Sequence, residues 1–175
     1  ISPDEGALDR AIYFASVLGV DTGMFYKRRD YSTIVNGKNP IVAHEFLGDN
    51  IDGKDIIIID DMISSGETIL KIASLLKDRG AGRIYLCSTF GLFTDNLKKF
   101  DEAHAAGVFD KLLTTNMVYQ SEELLAKPYY ISCDMSKYIA LIIDTLNHDM
   151  SVSHLLNPVD RIKRCVNKYM AQYEK

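Results

Sequence analysis

Four consecutive isoleucines, Ile56, Ile57, Ile58 and Ile59, constrain this chain more than any other feature. β-Branched side chains are stiff at χ1 and suit a pleated strand. The run does not alternate with polar residues, so it predicts a central parallel strand with both faces covered. It ends in Asp60-Asp61-Met62-Ile63-Ser64-Ser65-Gly66-Glu67-Thr68. Residues 68–79 then follow a helical period, with Ile69, Ile72, Ala73 and Leu76 on one face and Gly80 as the stop. A strand, a polar turn and a helix in this order make the basic unit of an α/β sheet.

The rest of the chain repeats that alternation. Ala7, Leu8, Ala11, Phe14, Ala15 and Leu18 predict a first helix ended by Gly19. Strands are expected at residues 22–26, 84–90, 111–115 and 129–133. Helices are expected from a cap at Asp95 to about Ala106, around Met135 to Leu146, and over residues 159–173 with Val159, Ile162, Val166 and Met170 as the stripe. Residues 27–44 are polar and irregular, with Asn36-Gly37 as a turn signal, and read as a functional flap or a disordered loop. The fold class expected is α/β, a mainly parallel sheet flanked by helices. Residues 1–157 form one domain and residues 158–175 a C-terminal helical extension. The chain opens on Ile1-Ser2-Pro3 without a Met, which reads as a piece of a longer protein.

Composition excludes some function classes. Twenty Lys and Arg against 24 Asp and Glu give a formal net charge of −4, which lacks the basic footprint of a nucleic-acid binder. No apolar run approaches the ~18 residues a membrane span needs. Cys87, Cys133 and Cys165 are widely spaced and read as reduced, buried thiols of a cytoplasmic protein. His44, His104, His148 and His154 show no ligand spacing and read as surface or core residues, and Tyr129-Tyr130 as core or interface.

The turn after the isoleucines carries the chemistry. Ligands of open parallel sheets bind beyond the carboxyl ends of the strands, and this segment puts its polar residues there. Ser64, Ser65, Gly66, Glu67 and Thr68 open a helix, whose free N–H groups and dipole favour a phosphate. Asp60 and Asp61 repel phosphate; they suit vicinal sugar hydroxyls, or a magnesium ion through water. Phosphate at one end and hydroxyls at the other describe a ribose 5-phosphate. There is no Gly-Lys-Ser/Thr, so this is not a Walker A loop.

Residues 60–68 resemble the phosphoribosyl-pyrophosphate loop of the type I phosphoribosyltransferase fold, and within it the ribose-phosphate pyrophosphokinase family. Ser2-Pro3-Asp4-Glu5-Gly6 resembles that family's Ser-Pro-Asp turn, and Lys27-Arg28-Arg29 its flexible-loop motif. Thr89-Phe90-Gly91-Leu92-Phe93 and Ser151-Val152-Ser153-His154-Leu155-Leu156 resemble two later segments, in the same order. The resemblance covers the second of two tandem domains, so a preceding, ATP-binding half is expected outside this sequence.

The resemblance implies transfer of pyrophosphate from ATP to the C1 hydroxyl of ribose 5-phosphate, with this chain as the ribose 5-phosphate-binding half, inactive alone. It implies Lys27 and Arg29 as catalytic clamps on the ATP phosphates, Asp60, Asp61 and residues 64–68 as the ribose 5-phosphate site, and Asp4 as a ligand of Mg2+. It further implies a cytoplasmic homo-oligomer, a hexamer by family. On the residues alone, Asp4 also suits a helix cap, and Lys27-Arg28-Arg29 a solvated turn. Ser64 and Glu67 stand where many members carry Asp and Gly. Residues 30–47 form a longer segment than is usual, Phe90 replaces a histidine and Leu156 an aromatic. Two rival readings are a phosphoribosyltransferase acting on a nucleobase, for which no base-covering hood is visible, and a non-catalytic regulatory relative.

Overall fold

A computed structural model describes residues 1–29, 32 and 41–173 of the chain. A single 3-10 turn, Glu5–Ala7, leads into α1 (Leu8–Leu18), β1 (Met24–Arg29), β2 (Ile41–Leu47) and β3 (Ile56–Ile63). Then come α2 (Glu67–Lys77), β4 (Ile84–Gly91), α3 (Lys98–Ala105), β5 (Lys111–Thr115), α4 (Glu122–Leu125) and β6 (Tyr130–Cys133). The chain closes with α5 (Ser136–Asn147), α6 (Ser153–Leu156) and α7 (Val159–Tyr173). Strands β3-β4-β5-β6 form one parallel sheet in sequential order, while β1 and β2 form a separate antiparallel pair. The expected α/β class is therefore what is observed.

The core follows the inward residues of the sheet. Ile58, Leu86 and Leu112 on three adjacent strands are fully buried, and Ile72 and Leu76 of α2 close over them. Phe100, Phe109 and Tyr129 stack edge to face at 5.3–6.4 Å and seal the α3 side. Tyr129 and Tyr130 are core residues, as expected. Gly19 takes φ +69 in the left-handed region and ends α1.

Several expectations are corrected. Strand β3 is an outer strand of the four-stranded sheet, and Ile57 remains 39% exposed. Ile57 looks into an apolar cleft of about 420 Å³ between α1 and the sheet, also lined by Ala11, Ala15 and Leu18. At the open edge of β3, Ile1 N–H donates to the Ile57 carbonyl at 2.6 Å, and Ile59 N–H donates back to the Ile1 carbonyl at 3.3 Å. Ser2 in turn bridges in parallel to Met24 of β1.

The segment read as irregular from residue 27 instead continues β1 to Arg29 and resumes as β2 at Ile41, with Lys27 opposite His44 and Arg29 opposite Ile41. Cross-strand pairing, not an apolar period, sustains this arm, which is why the pattern was silent. The flap between the two strands lies outside the described residues. Helix α3 starts at Lys98 with Leu97 as its N-cap and no side-chain cap, and Asn96 Oδ1 accepts from Lys98 N–H at 2.9 Å just before it. Asp95 pairs with Lys99 at 3.0 Å. The cysteines are free thiols, but Cys87 and Cys133 are half-buried and Cys165 is exposed. Helix α7 touches α1, yet Val166 and Met170 of its apolar stripe are exposed, as are Leu141, Ile143 and Leu146 of α5. Among the described residues, no helix is long and apolar enough to cross a membrane.

Candidate functional site

The polar turn after β3 lies at the carboxyl edge of the parallel sheet, where strand geometry leaves backbone groups without ladder partners. Its conformation is fixed from two sides. Leu92 N–H donates to the Ile63 carbonyl at 2.8 Å and Thr94 N–H to the Ser64 carbonyl at 3.1 Å, tying the turn to the segment after β4. The Ser64 and Thr94 hydroxyls lie 3.3 Å apart. Gly66 then turns the chain into α2 with φ +81, and a Cβ there would stand 2.2 Å from the Phe100 ring. Only glycine meets both demands. The first turn of α2 therefore begins against the core, with Glu67 and Thr68 exposed around it.

These residues and the two aspartates enclose one concavity of about 230 Å³, whose lining also includes Asp4. The structure thus brings together Asp4, Asp60, Asp61, Ser64, Ser65, Gly66, Glu67 and Thr68, all of which the sequence singles out. Asp4 performs the cap as well: its Oδ1 accepts from Gly6 N–H at 3.1 Å. Lys27 and Arg29 lie on β1 by backbone position; their side chains fall outside the described residues, as does that of His44. His104 packs against Phe109 and Tyr129, and His148 and His154 are exposed.

The two carboxylates differ. Asp60 is largely enclosed, with 21% of its side chain exposed, whereas Asp61 has 65% exposed. Asp60 Oδ1 accepts from the Asp61 backbone N–H at 2.9 Å. Burial, then the hydrogen bond with Asp61 and the charges of Asp61 and Asp4, push the Asp60 carboxyl up to about 6. Asp61 is held below its ordinary value by the hydrogen bond from Asp60, with Arg10 adding to the effect. The site therefore holds one strained and one well-supported carboxylate side by side.

Arg10 is the residue that sequence reasoning missed. Its Nη1 lies 3.9 Å from Asp60 Oδ1 and its Nη2 3.8 Å from Asp61 Oδ2. The signal was present: Arg10 interrupts the i, i+3, i+4 stripe of α1, between buried Ala7 and Ala11. A cation in an apolar stripe calls for a partner, and that partner is the aspartate pair.

Residues 28–157 match the family described as phosphoribosyl synthetase-associated domain. The chain belongs to this family. Among similar curated proteins, the ribose-phosphate pyrophosphokinase of Vibrio parahaemolyticus is 31% identical over 162 residues, covering 90% of this chain and 47% of that protein. The enzyme of the same name from Thermococcus kodakarensis is 35% identical over 118 residues, 67% of this chain and 38% of the relative. The chain spans about half or less of the length of these curated relatives. In structure it resembles the phosphoribosylpyrophosphate synthetase of Mycobacterium smegmatis, with a TM-score of 0.70 at 23% identity over 85% of this chain and 44% of that one. That likeness shows the type I phosphoribosyltransferase-like fold.

Proposed function

We propose that this chain is the ribose 5-phosphate-binding half of a ribose-phosphate diphosphokinase. The single observation that carries the reading is the shared concavity: paired carboxylates at one end and a glycine-turned helix N-terminus with Ser64, Ser65 and Thr68 at the other. Carboxylates accept from the sugar's adjacent hydroxyls, and the N–H groups opening α2 with the Ser and Thr hydroxyls hold the 5-phosphate. In the proposed reaction the C1 hydroxyl oxygen attacks the β-phosphorus of ATP. The bond from that phosphorus to the α,β-bridging oxygen breaks, AMP leaves, and the hydroxyl proton is lost. Such a transfer is catalysed mainly by positioning and charge neutralisation, the role given to Lys27 and Arg29 on the β1 arm.

Mg2+ fits the oxygen-only donors Asp4, Asp60 and Asp61. Among the described residues no three acidic, His or Cys side chains form a ready metal cage, which suits an ion taken by one or two carboxylates together with substrate phosphates. Asp4 would hold it, and the ion would offset the phosphate charge. ATP would come from a preceding half, residues 1–157 being the phosphoribosyltransferase-like domain and residues 158–175 its extension; the family match ends at residue 157. Exposed Ile143, Leu146, Leu156 and Met170 support a homo-oligomer, and the acidic balance supports a cytoplasmic enzyme that does not take nucleic acid as a partner. The test is calorimetry of ribose 5-phosphate binding to the full-length protein, followed by an assay for AMP released from ATP. Absence of ribose 5-phosphate binding at millimolar concentration would reject the reading.

A further inference from the structure

Arg10 stands in the first turn of α1 with its guanidinium across the mouth of the aspartate pair. One nitrogen addresses each carboxylate, at 3.9 Å and 3.8 Å. Both separations exceed the ~2.7–2.9 Å of a charge-assisted hydrogen bond. Nη1 is buried and has no hydrogen-bond partner among the described residues. The guanidinium therefore sits at ion-pair range with hydrogen-bonding capacity unspent.

We propose that Arg10 is a positioning residue for sugar recognition, whose planar fork offsets the repulsion between Asp60 and Asp61 and holds them side by side as a two-point acceptor for adjacent hydroxyls of the substrate. The inference rests on the ribose 5-phosphate reading given above. Two neighbouring carboxylates repel each other, and unrestrained they would turn apart or share a proton, leaving fewer acceptors for a diol. A guanidinium spans both with fixed geometry. An ammonium is a point charge and serves one at a time. When hydroxyls draw the carboxylates into line, the guanidinium closes the remaining ~1 Å into direct hydrogen bonds. Arg10 thus acts through the aspartates and needs no contact with the sugar.

The experiment uses the full-length protein and four variants, Arg10→Gln, Arg10→Lys, Asp61→Asn and Arg10→Gln combined with Asp61→Asn. Calorimetry measures ribose 5-phosphate affinity, and steady-state kinetics measures KM for ATP. Arg10→Gln is expected to weaken ribose 5-phosphate on the order of 10-fold or more, with KM for ATP changed less than about 2-fold. Arg10→Lys is expected to fall between wild type and Arg10→Gln. In the Asp61→Asn background the further loss from Arg10→Gln is expected to shrink to less than about 3-fold, because half of the pair it organises is gone. Wild-type affinity in Arg10→Gln, or equal losses for ribose 5-phosphate and ATP, overturns the proposal in favour of a packing role. If Arg10→Gln does not fold, Arg10→Lys decides, and wild-type affinity there overturns the proposal. If the wild type itself fails to bind ribose 5-phosphate, the functional reading falls and this inference with it.

Discussion

Replacing Asp60 by Asn tests whether the site stores instability. In the folded chain the Asp60 carboxyl titrates at about 6, against an ordinary 3.8. At about 1.36 kcal/mol for each tenfold change in protonation, that gap of 2.2 is worth about 3 kcal/mol. A carboxyl raised in the folded state carries its penalty when ionised. Below pH 3.8 both states are protonated and the penalty vanishes. It grows between about pH 4 and 6 and is complete above about pH 7. Asn cannot ionise, yet its Oδ1 still accepts from the Asp61 N–H that Asp60 now satisfies. Against the gain stands the loosened contact to Arg10, at 3.9 Å and partly exposed, worth less than about 1 kcal/mol. Asp60→Asn is therefore expected to stabilise the ligand-free protein by about 2 kcal/mol at pH 8 and by about 0 at pH 4. Urea denaturation of both proteins at pH 4, 6 and 8, without magnesium, measures this. A gain that is equal at all three pH values, or absent at pH 8, would refute the reasoning. On the proposed function, ribose 5-phosphate binding would be given up for that stability, as is common where a site holds charge in an unfavourable place.

Three further outcomes follow from the same geometry. Gly66→Ala places a Cβ at φ +81 and 2.2 Å from the Phe100 ring, so it should destabilise by roughly 2–6 kcal/mol, read as a lowered melting temperature; an unchanged melting temperature would show that the turn relaxes freely. Thr114→Val removes a hydroxyl that lies 2.5 Å from the Tyr130 hydroxyl at a site 1% exposed, and should cost about 1–3 kcal/mol in chemical denaturation. In the full-length enzyme, Lys27→Ala or Arg29→Ala should lower kcat on the order of 10²-fold while ribose 5-phosphate affinity measured by calorimetry stays within about threefold; near-wild-type kcat in both would remove these residues from the mechanism.

The elements with a strong apolar period were the legible ones. Helix α7 spans Val159–Tyr173 and β5 Lys111–Thr115, both as expected. The loop at residues 60–68 was legible because a polar cluster after an isoleucine run has few structural uses. Strand β2 was not, since Ile41–Leu47 gains its order from pairing with β1, which no local pattern reports. The exposure of Ile57 was hidden for a related reason: four isoleucines specify a strand but not which neighbours arrive to cover it. Arg10 escaped because helix reading counts apolar residues and passes over a cation among them, although a charge in that place is the informative exception. The expected cap at Asp95 failed because its carboxylate pairs with Lys99 instead, and the helix starts three residues later at Lys98.

The bridge at Ser2, with the buried Phe25 beside it, pins the root of the β1–β2 arm to the body of the fold. Among the described residues, Ser2 is where this arm pairs with the strand backbone leading to the sheet, through Met24. Lys27 is three residues along β1, so its backbone rides roughly 10 Å from the pin at ~3.4 Å per residue. A swing of about 5° there would carry it by roughly 1 Å, a displacement large enough to make or spoil a phosphoryl-transfer alignment. The pin is also only two residues from Asp4, and the Ser2 hydroxyl donates to the Asp4 carbonyl at 2.6 Å. Leverage on the arm is thereby transmitted to the rim of the aspartate cavity, so that the two would keep time with each other.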